Sequence, residues 1–263
     1  MRKLLIITIG VLLLSCNNRV KRYPGISLSF DDRSINEWFE LRELFNENNV
    51  RVTFFITQPD SLDSQEIHKL RLLENDGHEI GFHGNMHELS EYYIKENSYS
   101  DYLKNEIDEG MRKMDSLGFD CVSFAYPYGA KYWFTDFLLL KQFKFLRGVA
   151  PLNKEKDISK IDEVYYKFDD DRTLSAIGFD KISEVTPGMI NTALERSIEN
   201  QEILLMYAHS PSISNQDHDY TFNIDLLKSI IQLANQKNIG FYPIGKMKFN
   251  NSSHLRSFPE RVH

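Results

Sequence analysis

Two rhythms of apolar residues run along the chain. Short runs with β-like alternation or continuous apolar character fall at 26–30, 52–56, 78–82, 122–125, 164–168, 203–208 and 240–243. Between them lie longer stretches with helical spacing, near 35–47, 62–75, 99–117, 132–142, 187–200 and 223–237. The stretch 99–117 is the clearest. Leu103, Ile107, Met111, Met114 and Leu117 recur at steps of three and four, with acids and lysines between them. Leu226, Leu227, Ile230, Ile231 and Ala234 repeat the pattern near the end. Strands alternating with helices predict a mostly parallel α/β fold. In such folds the chemistry sits in the loops that follow the strands.

The first residues, "MRKLLIITIGVLLLSC", have a different character. A basic head, Arg2 and Lys3, precedes an apolar run that is too short for a permanent bilayer span. It reads as a signal segment over residues 1–15. Its end, Leu13-Leu14-Ser15-Cys16, resembles a bacterial lipobox, which implies cleavage before Cys16 and lipid on that cysteine. Residues 16–23 would then be a tether, with Arg19, Lys21 and Arg22 near the headgroups or simply solvated. The expected location is the cell envelope, on the inner or outer membrane. Residues 24–263 show no linker, repeat or low-complexity tract, so one domain is expected there.

Composition narrows the choices. A hydrophobic content of 41% can fill a real core. The formal charge is −7, and loss of Arg2 and Lys3 would take it to −9, which argues against nucleic acid as a partner. With Cys16 lipidated, Cys121 is the one remaining thiol. No intrachain disulfide can form, and Cys121 reads as a small buried apolar residue.

Chemistry-bearing residues gather at the strand ends. Asp31 and Asp32 follow the first run, His83 and His87 the third, "AYPYG" the fourth, and His209 the penultimate one. Each is weak alone. Together, two imidazoles and a carboxylate make the three-ligand set of catalytic zinc sites. A second carboxylate could then act as a base on a metal-activated water, and a histidine across the cleft as an acid.

These blocks resemble the polysaccharide deacetylases of carbohydrate esterase family 4, the NodB homology domain. "SFDD" is similar to the family's Thr-Phe-Asp-Asp, and "VTFFI" to its second strand. "NDGHEIGFHGNMH" resembles its His-x-x-x-His block, "AYPYG" its Pro-Tyr-Gly loop, "LLMYAH" its late histidine motif and "NIGFYPIG" its closing strand. The resemblance implies a single-domain distorted (β/α) barrel. It implies Asp31 as general base, Asp32, His83 and His87 as metal ligands, the Tyr128 backbone N–H as oxyanion donor and His209 as general acid. The implied ion is divalent, with zinc expected and cobalt or nickel as alternatives. The implied partner is an acetylated glycan, met by a monomer.

Three positions depart from the family pattern. Gly84 stands where a Ser or Thr follows the first metal histidine, and Ala125 where an arginine orients the base. The Asp-rich, Trp-containing fourth motif has no convincing match; "KFDDDRT" at 167–173 lacks the Trp and reads as a solvated loop. Arg147 is the candidate to supply the missing guanidinium to Asp31. The role of Arg33 is left open.

Tyr126, Pro127, Tyr132 and Trp133 are candidate substrate contacts. Trp38 is balanced between core and sugar stacking. His78 and Glu79 read as structural hydrogen-bonders, His68 and His254 as surface residues, and Asp217-His218-Asp219 as a polar loop. The expected activity is removal of acetyl groups, N-acetyl ahead of O-acetyl, from a cell-envelope or extracellular polysaccharide. The alternatives are a non-catalytic glycan- or metal-binding lipoprotein, and a C–N hydrolase of a small amide.

Overall fold

The structure is a computed structural model that describes residues 21–130, 133–152, 156–169, 171–212 and 218–248. The signal segment, Cys16, Tyr132, Asp217 and His254 lie outside these residues.

Eleven strands occur in the order β1 (Gly25–Asp32), β2 (Thr53–Ile56), β3 (Glu79–Phe82), β4 (Ser123–Ala125), β5 (Phe145–Ala150), β6 (Tyr165–Tyr166), β7 (Thr173–Gly178), β8 (Ile203–Ala208), β9 (Ser210–Pro211), β10 (Thr221–Phe222) and β11 (Gly240–Phe241). The nine helices are α1 (Ile35–Glu40), α2 (Arg42–Glu47), α3 (Ser64–Asn75), α4 (Ser90–Glu96), α5 (Tyr99–Tyr102), α6 (Glu109–Ser116), α7 (Trp133–Leu139), α8 (Pro187–Asn200) and α9 (Ile224–Gln236) among the described residues. A π-helical turn, Leu103–Asp108, joins α5 to α6.

Seven strands close into a parallel ring, β1-β2-β3-β4-β5-β7-β8, with β8 returning to β1. This is the distorted (β/α) barrel the sequence implied. The seams differ in length. β1 and β8 pair over six residues, from Gly25↔Ile203 to Phe30↔Ala208. β3 and β4 meet at one pair, Phe82↔Phe124.

Two expected strands fall outside the ring: β6 is antiparallel to β8, and β11 lies beside β1. Two ring strands, β5 and β7, have no counterpart in the sequence expectation. Their segments, "FLRGVA" and "TLSAIG", carry an arginine, glycines and small residues where an apolar run is expected. Arg147 and Ala176 lie on the inward face, beside Phe145 and Leu174.

Side chains divide by period two along β1. Ile26, Leu28 and Phe30 join the outer core between ring and helices. Ser27, Ser29 and Asp31 are buried on the opposite face. The inner core contains Phe55, Ala125, Phe145, Ala176 and Leu205. Gly81 makes room for it: a Cβ there would lie 2.6 Å from the Phe55 ring.

At the N-terminal mouth, Glu79 closes the barrel. Its carboxylate accepts from Thr53 Oγ1 (2.8 Å), Ser123 Oγ (2.6 Å) and the Gly245 N–H (2.6 Å). Cys121 is fully buried, and burial pushes its thiol up, so it is an inert core residue.

His78 lies just before β3, edge-on to Phe45 and Phe54 with ring centroids 5.4 Å away from each. Its Nδ1 accepts the Val52 N–H at 3.2 Å. Burial, assisted by Arg51, lowers its pKa from 6.5 to about 4. The unfolded chain therefore takes up a proton between these values that the folded chain refuses. Stability should fall as pH drops through this window, by on the order of 3 kcal/mol. Urea titrations of the wild type and His78→Gln between pH 7 and pH 4.5 check this; the variant should start less stable and show a flatter slope.

Candidate active site

The C-terminal ends of β1, β3, β4, β7 and β8 deliver the candidate residues to one mouth of the ring. Asp32 ends β1 at a φ of 84°, and His87 has a φ of 65°. Tyr128, in the turn after β4, has a φ of 57°. Three non-glycine residues in the left-handed region at one mouth mark a site whose backbone is held by its surroundings.

Asp32, His83 and His87 form a group whose ligand atoms all lie within 4.8 Å of one another, the one such group found among the described residues. His83 Nε2 lies 3.4 Å and His87 Nε2 3.2 Å from the same Asp32 Oδ1. His83 is buried, and its Nδ1 lies 2.8 Å from the Ala125 carbonyl oxygen. A carbonyl only accepts, so Nδ1 carries the hydrogen and the neutral ring turns its Nε2 lone pair toward Asp32. Asp32 Oδ1 is itself buried and has no hydrogen-bond donor. Burial opposes the charged form of Asp32. Imidazoles carrying a proton toward it would favour the charged form and hold its pKa well below the ordinary value, and a cation between the neutral rings would do the same. Electron-rich atoms converging on one point fit a divalent cation, and two nitrogens with one carboxylate suit zinc.

Asp31 points to the other side of β1, into the barrel, and is 2% exposed. Arg147 on β5 is fully buried and donates through Nη2 to Asp31 Oδ2. Its guanidinium lies 4.9 Å from the Tyr207 ring centroid and 5.4 Å from that of Phe55. Ala125 and Arg147 are paired neighbours across β4 and β5. The guanidinium thus comes from the strand beside Ala125, at the same level of the ring.

His209 follows β8. Its Nδ1 lies 2.6 Å from Asp180 Oδ2, and its backbone N–H donates to Asp180 Oδ1 at 3.0 Å. Its ring sits edge-on to Tyr207 and Tyr220. Burial pulls its pKa down, but the Asp180 hydrogen bond and the charges of Asp31, Asp180 and Asp32 outweigh that, and the net shift is upward. Trp38 is fully buried and donates to the His209 carbonyl oxygen at 2.7 Å, so this tryptophan props the His209 loop from the core.

Asp180 is the residue that sequence reasoning missed. Its signal was the run "TLSAIGFD", where small residues alternate with apolar ones up to the acid. Of the "KFDDDRT" segment, Asp171 precedes β7 at the opposite end of the barrel, and its Oδ1 accepts from the Thr173 N–H and hydroxyl.

Other positions sort plainly. Tyr126 and Pro127 are buried, so neither lines an accessible groove. The Tyr126 ring packs edge-on to Phe124 and its hydroxyl donates to Asp136 at 2.7 Å. Trp133 is 73% exposed and Tyr128 67% exposed, and the Tyr128 ring lies 4.8 Å from that of His87. Arg33 turns away from Asp31, donating to Ser61 O (2.7 Å) and Glu66 Oε2 (2.9 Å).

With this geometry in view, comparison with known proteins is informative. The family model described as polysaccharide deacetylase matches residues 19–141, which carry Asp31, Asp32, His83, His87 and Tyr128. Comparison with curated proteins finds no matching relative. Among solved structures, a peptidoglycan N-acetylglucosamine deacetylase aligns at TM-score 0.56 and 17% identity, over 86% of this chain and 88% of the other. The chitin deacetylase of the fungus Colletotrichum lindemuthianum aligns at TM-score 0.55 and 16% identity, over 85% and 87%. A family 4 carbohydrate esterase of Streptomyces lividans aligns at 0.52 and 16%, over 84% and 93%. Residues 19–141 thus resemble the polysaccharide deacetylase model, and the chain shares its fold with these solved structures.

The buried pair predicts a specific instability. Arg147→Met strands a carboxylate inside the barrel and should cost roughly 3–5 kcal/mol, as removal of one partner of a buried pair does. The double variant Asp31→Asn/Arg147→Met should recover much of that loss in urea denaturation.

Proposed function

We propose that the protein removes N-acetyl groups from a cell-envelope polysaccharide, using a divalent ion held by Asp32, His83 and His87. The observation that carries this reading is the convergence of both Nε2 atoms on the unpartnered Asp32 Oδ1, beside a second carboxylate that Arg147 holds apart. A bound divalent ion would polarise the acetyl carbonyl and make water a stronger nucleophile at neutral pH.

The chain's own groups then have separate tasks. Asp31, oriented by the Arg147 guanidinium, takes the proton from the attacking water. The Tyr128 backbone N–H donates to the oxygen that becomes negative as the carbonyl carbon turns tetrahedral. The C–N bond breaks, and the nitrogen leaves as an amine only if it gains a proton. His209 supplies it from Nε2, since its Nδ1 is engaged by Asp180. The products are acetate and a free amino sugar. The exposed rings of Tyr128 and Trp133 offer surfaces for sugar faces.

The lipobox-like "LLSC" supports export and attachment to the envelope through Cys16; the proposal takes residues 24–263 as the catalytic domain, acting as a monomer, and the two nitrogens and one carboxylate favour zinc as the ion. Cys16→Ser should move the protein from the membrane to the soluble fraction.

The test of the reaction is acetate release by zinc-loaded protein from chitooligosaccharides, poly-N-acetylglucosamine, peptidoglycan and acetylxylan. Asp31→Asn should keep its metal and lose roughly 10²- to 10⁴-fold in kcat. His83→Ala should lose the metal. Full turnover by Asp31→Asn would remove the base assignment, and no stoichiometric metal after zinc loading would remove the site. In the pH profile, the protonated form of His209 is the active one and its pKa is raised. The alkaline limb therefore lies higher than an unshifted histidine would give. Asp180→Asn should move that limb to lower pH.

A further inference from the structure

The loop from Gly84 to Glu88 carries His87, and one buried carboxylate holds it. Glu106 is fully buried and lies on the π-helical turn between α5 and α6. Its Oε2 accepts the Met86 N–H at 2.7 Å and its Oε1 accepts the Glu88 N–H at 2.8 Å. These two amides flank His87. The same turn makes two further bonds to the loop: the Glu106 carbonyl accepts the Asn85 N–H at 2.9 Å, and the Asn105 carbonyl accepts Asn85 Nδ2 at 2.9 Å.

The acid faces inward on the π turn. Glu106 lies three residues after Leu103 and four before the buried Gly110, at the edge of the helical stripe. The wider turn buries Glu106 and Ile107 together. Gly84 completes the arrangement. It has a φ of 88°, and a Cβ there would sit 2.2 Å from Glu106 Oε1. The absence of a side-chain hydroxyl at 84 and the presence of a carboxylate at 106 are therefore one feature: the carboxylate occupies the space that any larger residue at 84 would need.

We propose that Glu106 is a positioning residue, which preforms the His87 loop so that the third ligand of the metal group is in place before the ion arrives. This rests on the metal-site reading above and adds a group that touches neither ion nor substrate. A preformed ligand loop spares the ordering cost that a mobile one would incur on binding, and loss of supporting contacts of this kind typically weakens metal binding about 10- to 100-fold.

Zinc affinity of the metal-free full chain, measured by competition with a chromophoric chelator, tests the proposal. The Co²⁺ absorption spectrum and hydrogen exchange at Met86 and Glu88 accompany it. Glu106→Gln keeps the size but sets an NH₂ against one of the two amide donors. Gly84→Ala displaces the carboxylate from the other side and serves as the second variant if the first does not fold. Each should bind zinc at least tenfold more weakly, alter the Co²⁺ bands and lose exchange protection at both amides. Unchanged affinity in a folded variant of either kind overturns the proposal. A wild type that binds no zinc defeats the functional reading instead, and exchange then decides the clamp: protected amides that Glu106→Gln releases uphold it, and unprotected amides overturn it.

Discussion

A buried ion pair sits where a barrel of this kind would ordinarily hold branched apolar residues. Arg147 and Asp31 face each other inside the ring, with Phe55 and Tyr207 against the guanidinium. Taking both charges out of water is expensive, and only close pairing and a rigid surround offset that. The ring supplies both. Because Asp31 is held inward, its neighbour Asp32 must turn outward from the same strand end, and the positive φ at Asp32 accompanies that turn. Adjacent carboxylates therefore serve different faces of one strand. The Asp31 charge, together with Asp32 and Asp180, also raises the pKa of His209 across the mouth.

Much of this was legible in the order of residues. The alternation in β1 and the steps of three and four in 99–117 located real elements, and the chemistry stands at strand ends as an α/β fold requires. The metal group was readable because His83 and His87 are close in sequence and Asp32 follows an obvious strand. What escaped the eye lies inside the barrel or in unusual backbone. β5 and β7 look unlike strands because Arg147, Gly148, Ser175 and Ala176 interrupt the apolar run. Asp180 was hidden because its strand was. Glu106 was hidden because an acid at the edge of a helical stripe reads as solvated, and only the partners it meets in the His87 loop account for its burial. Tyr126 looked available for substrate because its loop is exposed at Tyr128, yet neighbouring side chains in a tight turn point opposite ways.

The two halves of the site also differ in how they are carried. Asp31, Asp32, His83, His87 and Tyr128 fall within the stretch that matches the family model, and Arg147, Asp180 and His209 lie beyond it. The first set depends on local motifs, with a fixed spacing and a fixed turn. The second depends on where three strands happen to stand in a closed ring. A guanidinium can come from either of two paired strands and still reach the same carboxylate, so its place in the sequence is free to move.

The ring is shortest of rungs between β3 and β4, where one residue pair is in register. Side chains lace that seam at both ends: Glu79 to Ser123 below, and His83 Nδ1 to the Ala125 carbonyl above. The upper stitch is made by the same imidazole whose other nitrogen faces Asp32. A cation captured there would pull on one end of a ring whose other end closes the barrel. The mouth of the barrel and its mechanical weak point are then one place, and occupancy of the site becomes a rivet through the fold.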